Sequence, residues 1–283
     1  MAFTRRQFFG MFGMLGLSSC ARVGLDKVDM SKLKPDISMP RLPRFGEGKP
    51  YSFVTINDTH LVDARSVAIV NRAVNQINEI EDLAFVVALG DIANDAQVSA
   101  FRLGQQAFDR LEVPCWAVPG NHDYGSDPAN SIDNYLHYFE DAEWREQRGD
   151  WVFIGFNSCN EQEYRDVIVP QDRLDWLQYQ LDRINPERPI ALLTHHPLNP
   201  NTAAYRLLNA DDILALFEGH NLKLVSSGHF HGNQVEEQDG VLFITTACCS
   251  TVRNNHDNTP GKGYRVYHID GAQITHEFVT VQT

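Results

Sequence analysis

The residues Gly120-Asn121-His122-Asp123 follow directly after the run Cys115-Trp116-Ala117-Val118-Pro119. The short apolar run predicts a buried strand, which places the four polar residues on the loop at its carboxyl end. In open α/β sheets, such loops are where ligands bind. Gly, Asn and Asp are also common turn formers, so the stretch taken alone fits an ordinary turn as well as a binding site.

Four other apolar runs end in side chains that commonly bind metals. The runs cover residues 53–56, 84–89, 190–194 and 222–227, and the candidate ligands are Asp58, His60, Asp91, His195, His229 and His231. Asn121 is the seventh candidate. Because alternate residues of an extended strand share a face, each Asp-x-His or His-x-His pair can present both side chains to one side. A single histidine is more often a hydrogen-bonded polar residue than a ligand, but seven donors at matched positions favour a metal centre.

Composition limits the possible partners. The chain has 283 residues, of which 43% are hydrophobic, with 24 Lys and Arg against 37 Asp and Glu and a formal net charge of −13. Nucleic acids attract basic surfaces, and no dense basic cluster lies in the region of the motifs. We therefore expect no nucleic-acid partner, and a nuclease activity is disfavoured.

The chain from 50 to 283 alternates strands with helices. Apolar residues at three- and four-residue steps predict a helix over 67–80, with further helices over 97–111, 130–140 and 174–181. Asp58, Asp91 and Asn121 are separated by about 30 residues, the length of a βαβ unit. The runs 240–245, 264–269 and 273–281 predict strands joined by short turns, and Asp270-Gly271 predicts a hairpin. We expect parallel β/α structure followed by antiparallel strands, packed as two sheets with helices outside.

The amino end carries a targeting pattern. Arg5-Arg6 precede an apolar stretch from Phe8 to Leu17 that is too short to span a bilayer, and together they resemble a twin-arginine export signal. The next residues, Leu17-Ser18-Ser19-Cys20, resemble a bacterial lipobox, in which the chain is cut before a cysteine that receives a lipid. Cleavage by an ordinary signal peptidase and a cysteine without a special role are the alternatives.

This pattern predicts three segments: a twin-arginine signal peptide over 1–19, a lipid-anchored linker over 20–49 with the Pro and Gly content of a tether, and a folded domain over 50–283. The partners would be the twin-arginine export machinery and, through a lipid on Cys20, the membrane. We expect an exported protein of the periplasm or cell envelope. Twin-arginine substrates generally fold before export, so we expect no essential disulfide among Cys115, Cys159, Cys248 and Cys249.

The ordered motifs from residue 52 to 231 resemble those of the calcineurin-like metallophosphoesterases. The resemblance implies a four-layer αββα sandwich of two mixed β-sheets flanked by helices, with a dinuclear centre of divalent or trivalent metal ions (Fe, Mn or Zn). It also implies which residues bind each ion. Asp58, His60, Asp91 and His231 would hold one ion, and Asp91, Asn121, His195 and His229 the other, with Asp91 as the bridge.

The resemblance further implies a reaction and its catalytic residues. A water or hydroxide acidified by the cations attacks phosphorus in line, while the cations bind the phosphoryl oxygens. His122 corresponds to the family's catalytic histidine and would donate a proton to the departing alkoxide; a hydrogen bond to a metal ligand is its alternative role. Some relatives support this histidine with an Asp three residues after the bridging Asp, but Asn94 stands there. We take Asp123 as a second catalytic residue, and leave Asp95, Asp123 or no comparable group as the orienting partner.

The motif pattern is most similar to that of class III cyclic nucleotide phosphodiesterases and related phosphodiesterases. It departs from purple acid phosphatases, which have a Tyr at the position of Asn94 and lack the histidine at the position of His60. We expect a phosphodiesterase that acts on a small phosphate ester. A phosphomonoesterase resembling acid phosphatases and a non-catalytic binding protein on the same fold are the alternatives. Further pocket candidates near the motif loops are Tyr124, His196, Asn199, Asn201, Tyr205 and Arg253.

Overall fold

The computed structural model describes residues 49–127, 131–201 and 205–282. The signal peptide predicted over 1–19, including its junction with Cys20, and all but the end of the linker predicted over 20–49 lie outside the described residues. All of the described residues belong to one compact unit of the chain. In the described part of the chain, no helix is both long enough and apolar enough to cross a membrane.

Five α-helices and eleven β-strands build the described structure. The helices are α1 (Val67–Ile77), α2 (Val98–Phe108), α3 (Asp133–Phe139), α4 (Gln171–Leu181) and α5 (Ala210–Ala215). The strands are β1 (Tyr51–Ile56), β2 (Leu83–Leu89), β3 (Cys115–Val118), β4 (Trp144–Arg148), β5 (Trp151–Phe156), β6 (Pro189–Thr194), β7 (Asn221–Ser227), β8 (Gln234–Gln238), β9 (Val241–Thr245), β10 (Gly263–Asp270) and β11 (Gln273–Thr280). A single 3-10 turn, Asn121–Asp123, follows β3.

The strands form two mixed sheets. The first has the order β11-β10-β1-β2-β3, in which β1, β2 and β3 are parallel and β10 and β11 are antiparallel to their neighbours. The second has the order β4-β5-β6-β7-β9-β8, with a parallel centre from β5 to β9 and an antiparallel strand at each edge. The expectation of two mixed sheets is confirmed.

Three apolar interfaces hold the layers together, because both faces of the central strands of each sheet are buried. In β1 and β2, Val54 and Val86 pack in the cluster that contains helices α1 to α3, whereas Phe53 and Phe85 belong to the cluster between the two sheets. The rings of these two phenylalanines stack with centroids 5.1 Å apart. In β6, Leu192 packs with the apolar residues of α4 and α5. The layer order is therefore helix, sheet, sheet, helix, as the αββα prediction requires.

The two edges of the second sheet differ from the sequence-based expectation. Strands β4 and β8, with sequences WREQR and QVEEQ, lie at these edges; their polar side chains give no apolar pattern to detect, and polar residues are how proteins protect exposed edges. Helix α5 is also absent from the prediction. The expectation that the carboxyl-terminal strands are all antiparallel is wrong for β9, which pairs parallel with β7.

The predicted hairpin is present between β10 and β11. Asp270 pairs with Gln273, so the two-residue connection is Gly271 and Ala272. The φ of Gly271 is 57°, a left-handed conformation that glycine adopts without steric cost and that short hairpin turns require. The helix predicted over 130–140 is α3, and residue 130 lies outside the described part of the chain.

Candidate metal centre

The loops that follow β1, β2, β6 and β7 bring their polar side chains into one buried cluster. Its first group of potential ligand atoms comes from Asp58, His60, Asp91 and His231, and its second from Asp91, His195 and His229. Within each group, the atoms all lie within 4.8 Å of one another. Asp91 belongs to both groups. The structure thus brings together six of the seven candidate ligands.

Asn121, the seventh candidate, lies in the 3-10 turn directly after β3. Its side chain is buried, and its Oδ1 atom has no hydrogen-bond partner among the described residues. The next residue, His122, donates its main-chain N–H to Oδ1 of Asp91 over 2.8 Å, which fixes the turn beside the cluster. A buried amide oxygen without a partner costs free energy, so this oxygen is suited to be a metal ligand.

Five of the candidate ligands have a left-handed backbone conformation. The φ angles are 52° at Asp58, 44° at His60, 51° at Asp91, 59° at His229 and 48° at His231. Such conformations are uncommon for residues other than glycine and cost about 1–3 kcal/mol each, a cost that is typically found at functional sites. The chain bends sharply at each of these strand ends. Both side chains of each pair, Asp58 with His60 and His229 with His231, therefore reach the same cluster.

The glycines of the motifs allow close approach of the loops. A Cβ atom on Gly120 would overlap the carboxylate and main-chain nitrogen of Asp91, and one on Gly228 would lie 2.7 Å from Oδ2 of Asp58. A Cβ atom on Gly90, whose φ is 82°, would collide with the main chain of Gly120. The carboxylates could not occupy their positions if these residues had side chains.

The distances between the donor atoms fit shared metal ions. Two atoms bound to one ion at about 2.0–2.2 Å lie about 3.0–3.5 Å apart. The Nε2 atom of His231 is 3.2 Å from Nε2 of His60 and 3.2 Å from Oδ1 of Asp58. The Nε2 atom of His195 is 3.4 Å from Oδ1 of Asp91. The same atoms pair with one another in the structure, His231 with Asp58 as an ion pair and His231 with His60 through their ring nitrogens, so a bound ion would replace these contacts.

The remaining ring nitrogens of three ligand histidines lie beside main-chain carbonyl oxygens. These are His195 Nδ1 beside Leu89 (2.8 Å), His229 Nε2 beside Tyr164 (2.9 Å) and His231 Nδ1 beside Asn254 (3.1 Å). A carbonyl oxygen accepts an N–H, so it fixes the proton on that nitrogen and leaves the other nitrogen of the ring free to bind a metal.

The protonation of the cluster also suits metal binding. Burial raises the pKa of Asp91, but the neighbouring histidines, His195 first among them, together outweigh this effect and hold the pKa well below its usual range. Burial lowers the pKa of His60 and of His229 to about 3, so both rings are neutral. Burial also lowers the pKa of His195, but the charge and the hydrogen bond of Asp91, together with weaker contributions from other neighbours, outweigh burial and raise the pKa to about 9. A cation that binds His195 therefore has to displace a proton.

The orientation of His122 comes from a main-chain group. Its Nδ1 atom lies 2.6 Å from the carbonyl oxygen of Asn94, and its ring centroid is 4.8 Å from that of His60. Asp95 is exposed, and its carboxylate accepts a hydrogen bond from the Asn94 side chain over 2.7 Å. The expectation weighed side chains as the orienting partner, whereas the structure supplies a carbonyl oxygen.

Asp123 is fully buried and is bonded to main-chain groups. Its carboxylate accepts N–H groups from Ile92 (3.2 Å), Ala93 (2.9 Å) and Gly120 (2.9 Å). Burial and the charge of Asp91 raise its pKa to about 7, although these hydrogen bonds oppose the shift. The carboxylate joins the loops after β2 and β3. The role of Asp123 as a second catalytic residue stays a prediction.

Three of the six further pocket candidates lie next to the cluster. The ring of Tyr205 is 5.0 Å from that of His229, and the buried ring of His196 is 4.2 Å from the same ring. Arg253 donates from Nε to Oδ1 of Asn94 over 3.0 Å.

The other three candidates differ in their surroundings. The hydroxyl of the buried Tyr124 accepts a hydrogen bond from Asn157 over 2.9 Å. Asn199 is buried, and its amide has no hydrogen-bond partner among the described residues. Asn201 is exposed and donates to Glu236. Sequence reasoning also missed His256, whose ring stacks on that of His231 with centroids 4.8 Å apart; a lone histidine outside the motifs carries no signal.

A two-sheet sandwich with a buried Asp and His cluster of this kind, which fits a dinuclear metal site, defines a metal-dependent hydrolase. Residues 51–233 match the family model "Calcineurin-like phosphoesterase", which is more than half of the chain. The chain belongs to the calcineurin-like phosphoesterase family. It is a phosphoric ester hydrolase, and the buried ligand groups support divalent metal ions as its cofactor.

The chain is similar to proteins named as phosphodiesterases. It is 25% identical to the 3′,5′-cyclic adenosine monophosphate phosphodiesterase CpdA of Escherichia coli (strain K12), over 84% of this chain and 92% of that protein. It is 27% identical to a probable cyclic nucleotide phosphodiesterase of Xenorhabdus bovienii, over 62% of this chain and 71% of that protein. The purple acid phosphatase PPD1 of yellow lupin shares the fold, with a TM-score of 0.64, 13% identity, and coverage of 82% of this chain and 52% of that one.

Proposed function

We propose that the protein is a phosphodiesterase that hydrolyses small phosphate esters with two metal ions bound in the strand-end cluster. The observation that carries this proposal is the pair of buried ligand groups that share Asp91. One carboxylate common to two groups of ligands is the arrangement that a bridged pair of ions needs, and two-metal sites of this kind serve in-line displacement at phosphorus.

Each ion would have its own set of ligands. Asp58, His60, Asp91 and His231 would hold one, and Asp91, Asn121, His195 and His229 the other. Mixed imidazole and carboxylate ligands suit Fe, Mn and Zn. When bound, the ions lower the pKa of water and stabilise the attacking and leaving oxygens of the displacement.

His122 would act as the proton donor in this reaction. The Asn94 carbonyl accepts the proton on Nδ1, so the protonated ring carries its transferable proton on Nε2. The ring is half-buried beside His60, a ligand of the first group. Nε2 would give its proton to the oxygen that departs from phosphorus, and the Asn94 carbonyl would hold the ring in place while it does so.

The phosphodiesterase assignment is supported by the relatives, whose names specify cyclic nucleotides and 3′,5′-cyclic adenosine monophosphate. Cyclic nucleotides are therefore the first substrates to test. A phosphomonoesterase is the second candidate. A binding protein without turnover is disfavoured, because all seven ligand positions carry metal-binding side chains.

The decisive experiment combines metal analysis of the purified protein with turnover on phosphate monoesters, diesters and cyclic nucleotides. We expect about two ions per chain and faster hydrolysis of diesters than of monoesters. Activity on monoesters alone would replace the phosphodiesterase proposal with a phosphatase. Full metal content without turnover on any ester would support a binding protein.

We also propose that the protein is exported by the twin-arginine route to the periplasm or cell envelope and is anchored there by a lipid on Cys20. Support comes from Arg5-Arg6 ahead of the apolar stretch, the lipobox-like Leu17-Ser18-Ser19-Cys20, and the tether-like residues 21–49. Replacing both arginines with lysine should block translocation. Cys20→Ala should abolish incorporation of labelled fatty acid without loss of catalysis, and unchanged labelling in this variant would end the lipoprotein proposal.

A further inference from the structure

The segment 250–262 lies against the first ligand group. The carbonyl oxygen of Asn254 is 3.1 Å from Nδ1 of His231, and the main-chain N–H of His256 donates to the carbonyl of His231 over 3.0 Å. The ring of His256 stacks on that of His231. The segment that positions this ligand therefore also forms part of the surface next to the metal centre.

Arg253 has a fixed main chain within this segment. Its N–H donates to Oγ of Ser250 over 3.3 Å, and its carbonyl oxygen accepts a hydrogen bond from Nζ of Lys262 over 2.7 Å. Lys262 is only 9% exposed, and its Nζ also donates to Sγ of Cys248 over 3.1 Å and to Oδ1 of Asn255 over 3.3 Å, so the ammonium group is held in place. The backbone of Arg253 is held on both sides before any ligand binds.

The side chain of Arg253 is held beside the proposed proton donor. Its Nε atom donates to Oδ1 of Asn94 over 3.0 Å, and the carbonyl oxygen of the same Asn94 lies 2.6 Å from Nδ1 of His122. One residue therefore positions both groups. Among the described residues, the side chain of Arg253 donates a hydrogen bond only from Nε. The two terminal guanidinium nitrogens of this half-buried side chain therefore stay available.

We infer that Arg253 binds an anionic group on the leaving-group side of the substrate, so that the enzyme prefers phosphodiesters whose departing alcohol carries a second negative charge over cyclic nucleotides, whose only negative charge is on the reacting phosphate. The inference rests on the proposed function, because it needs His122 to mark the leaving-group side. A guanidinium group offers two parallel N–H donors that match a carboxylate or phosphate. The metal ions would bind the reacting phosphoryl group. Arg253 would therefore be free to bind a second anionic group next to it.

Two simple probes test this inference by binding rather than by turnover. Methylphosphonate carries only the group that would bind the metal ions, and phosphonoacetate adds one carboxylate. On metal-loaded protein, calorimetry should show that Arg253→Gln lowers the affinity for phosphonoacetate by about 10- to 100-fold, the loss expected when charge-assisted hydrogen bonds are removed. The affinity for methylphosphonate should change by less than about threefold. Arg253→Lys should fall between, since it keeps the charge but not the planar pair of donors.

Arg165 provides the control, since it is an exposed arginine beside Tyr205, whose ring lies 5.0 Å from that of His229. Its guanidinium lies 5.4 Å from the ring of Tyr205, and the preceding residue, Tyr164, holds His229 through its carbonyl oxygen. Arg165→Gln removes the same charge and should lower the affinity for both probes slightly and to the same extent. Metal content and circular dichroism establish that each variant is folded. If Arg253→Gln does not fold, Asn94→Ala removes the acceptor of Nε and should weaken phosphonoacetate selectively.

The outcomes separate the inference from the proposed function. Equal weakening of both probes by Arg253→Gln would show that Arg253 contacts the phosphoryl group itself, and it would overturn the inference. A selective loss in Arg165→Gln would overturn it as well. Wild-type protein that holds two ions but binds neither probe would contradict the proposed function, whereas wild-type binding of both probes without a response to Arg253→Gln would contradict the inference alone.

Discussion

The two ligand groups of the centre share Asp91 but differ in charge. The first has two carboxylates and two imidazoles, whereas the second has one carboxylate, two imidazoles and, in the proposed function, the neutral Asn121 oxygen. Oδ2 of Asp91 lies 3.5 Å from Nε2 of His60, and Oδ1 lies 3.4 Å from Nε2 of His195, so each oxygen faces one group. Because affinity for a cation rises with the number of charged ligands, we expect tighter binding at the first group.

The two groups also differ in how their backbones are built. All four residues of the first group have a positive φ, whereas in the second this holds for Asp91 and His229 but not for His195 or Asn121. The additional strain of the first group has to be compensated by the surrounding fold. Charge and backbone strain are therefore concentrated on the same side of the centre.

The largest expected effect comes from removing the residue that the two groups share. Asp91→Ala should reduce metal content from about two ions per chain to below one and lower activity by about 10³-fold or more, since metal ions supply several kcal/mol of transition-state stabilisation. Metal analysis and kinetics measure both changes. Asp95→Ala, which removes an exposed carboxylate four residues away, is the control and should keep its metal. Full metal content and activity in Asp91→Ala would contradict the bridge.

Replacing His122 tests whether catalysis near the first group depends on a residue that binds no metal. His122→Ala should keep near-normal metal content and lose about 10²- to 10⁴-fold on alkyl phosphodiesters, the usual contribution of general acid catalysis. The loss should be much smaller on nitrophenyl esters, because a good leaving group departs without a proton.

Two histidine variants serve as references for this prediction. His195→Ala should lose activity on both kinds of ester as metal is lost, and His137→Ala, on the exposed side of α3, should behave as wild type. Equal losses of His122→Ala on both esters, with metal retained, would instead place His122 against the phosphoryl group.

The difference between the groups predicts an order of metal release. A chelator should remove one ion before the other, with affinities about tenfold or more apart, because the first group has one more carboxylate. His229→Ala should abolish the weaker step of the titration, and His231→Ala should abolish the stronger one. Calorimetric titration of the apoprotein measures both steps. Two ions of equal affinity, or loss of the same step in both variants, would contradict the comparison.

The smallest effect is expected at Asn94. Asn94→Ala keeps the carbonyl oxygen that holds His122, so kcat on esters with a neutral leaving group should fall by less than about tenfold, well short of a full general-acid contribution. The measurement is the ratio of kcat in Asn94→Ala to kcat in His122→Ala. A loss as large as that of His122→Ala would show that the side chain, and not the carbonyl, orients the ring.

Much of the fold was predictable from the sequence, because apolar periodicity is local. The strands that end at Asp58, Asp91, Asn121 and His195, and the helices between them, follow from runs and steps of apolar residues. The edge strands β4 and β8 could not be predicted in this way, because an exposed edge favours polar side chains, and the resulting sequence is as polar as that of a loop. The parallel pairing of β9 with β7 also depends on contacts far apart in the chain.

The side chains that meet in the candidate metal centre were predictable from the amino-acid sequence, because imidazole and carboxylate donors are recognisable residues at the ends of recognisable strands. How those side chains are held depends on contacts that form only when the chain folds. The carbonyl oxygens of Leu89, Asn94, Tyr164 and Asn254 orient the histidines, while Asp123 binds main-chain N–H groups instead of His122. Every residue has the same carbonyl group, so the choice of carbonyl depends on where the folded backbone places it.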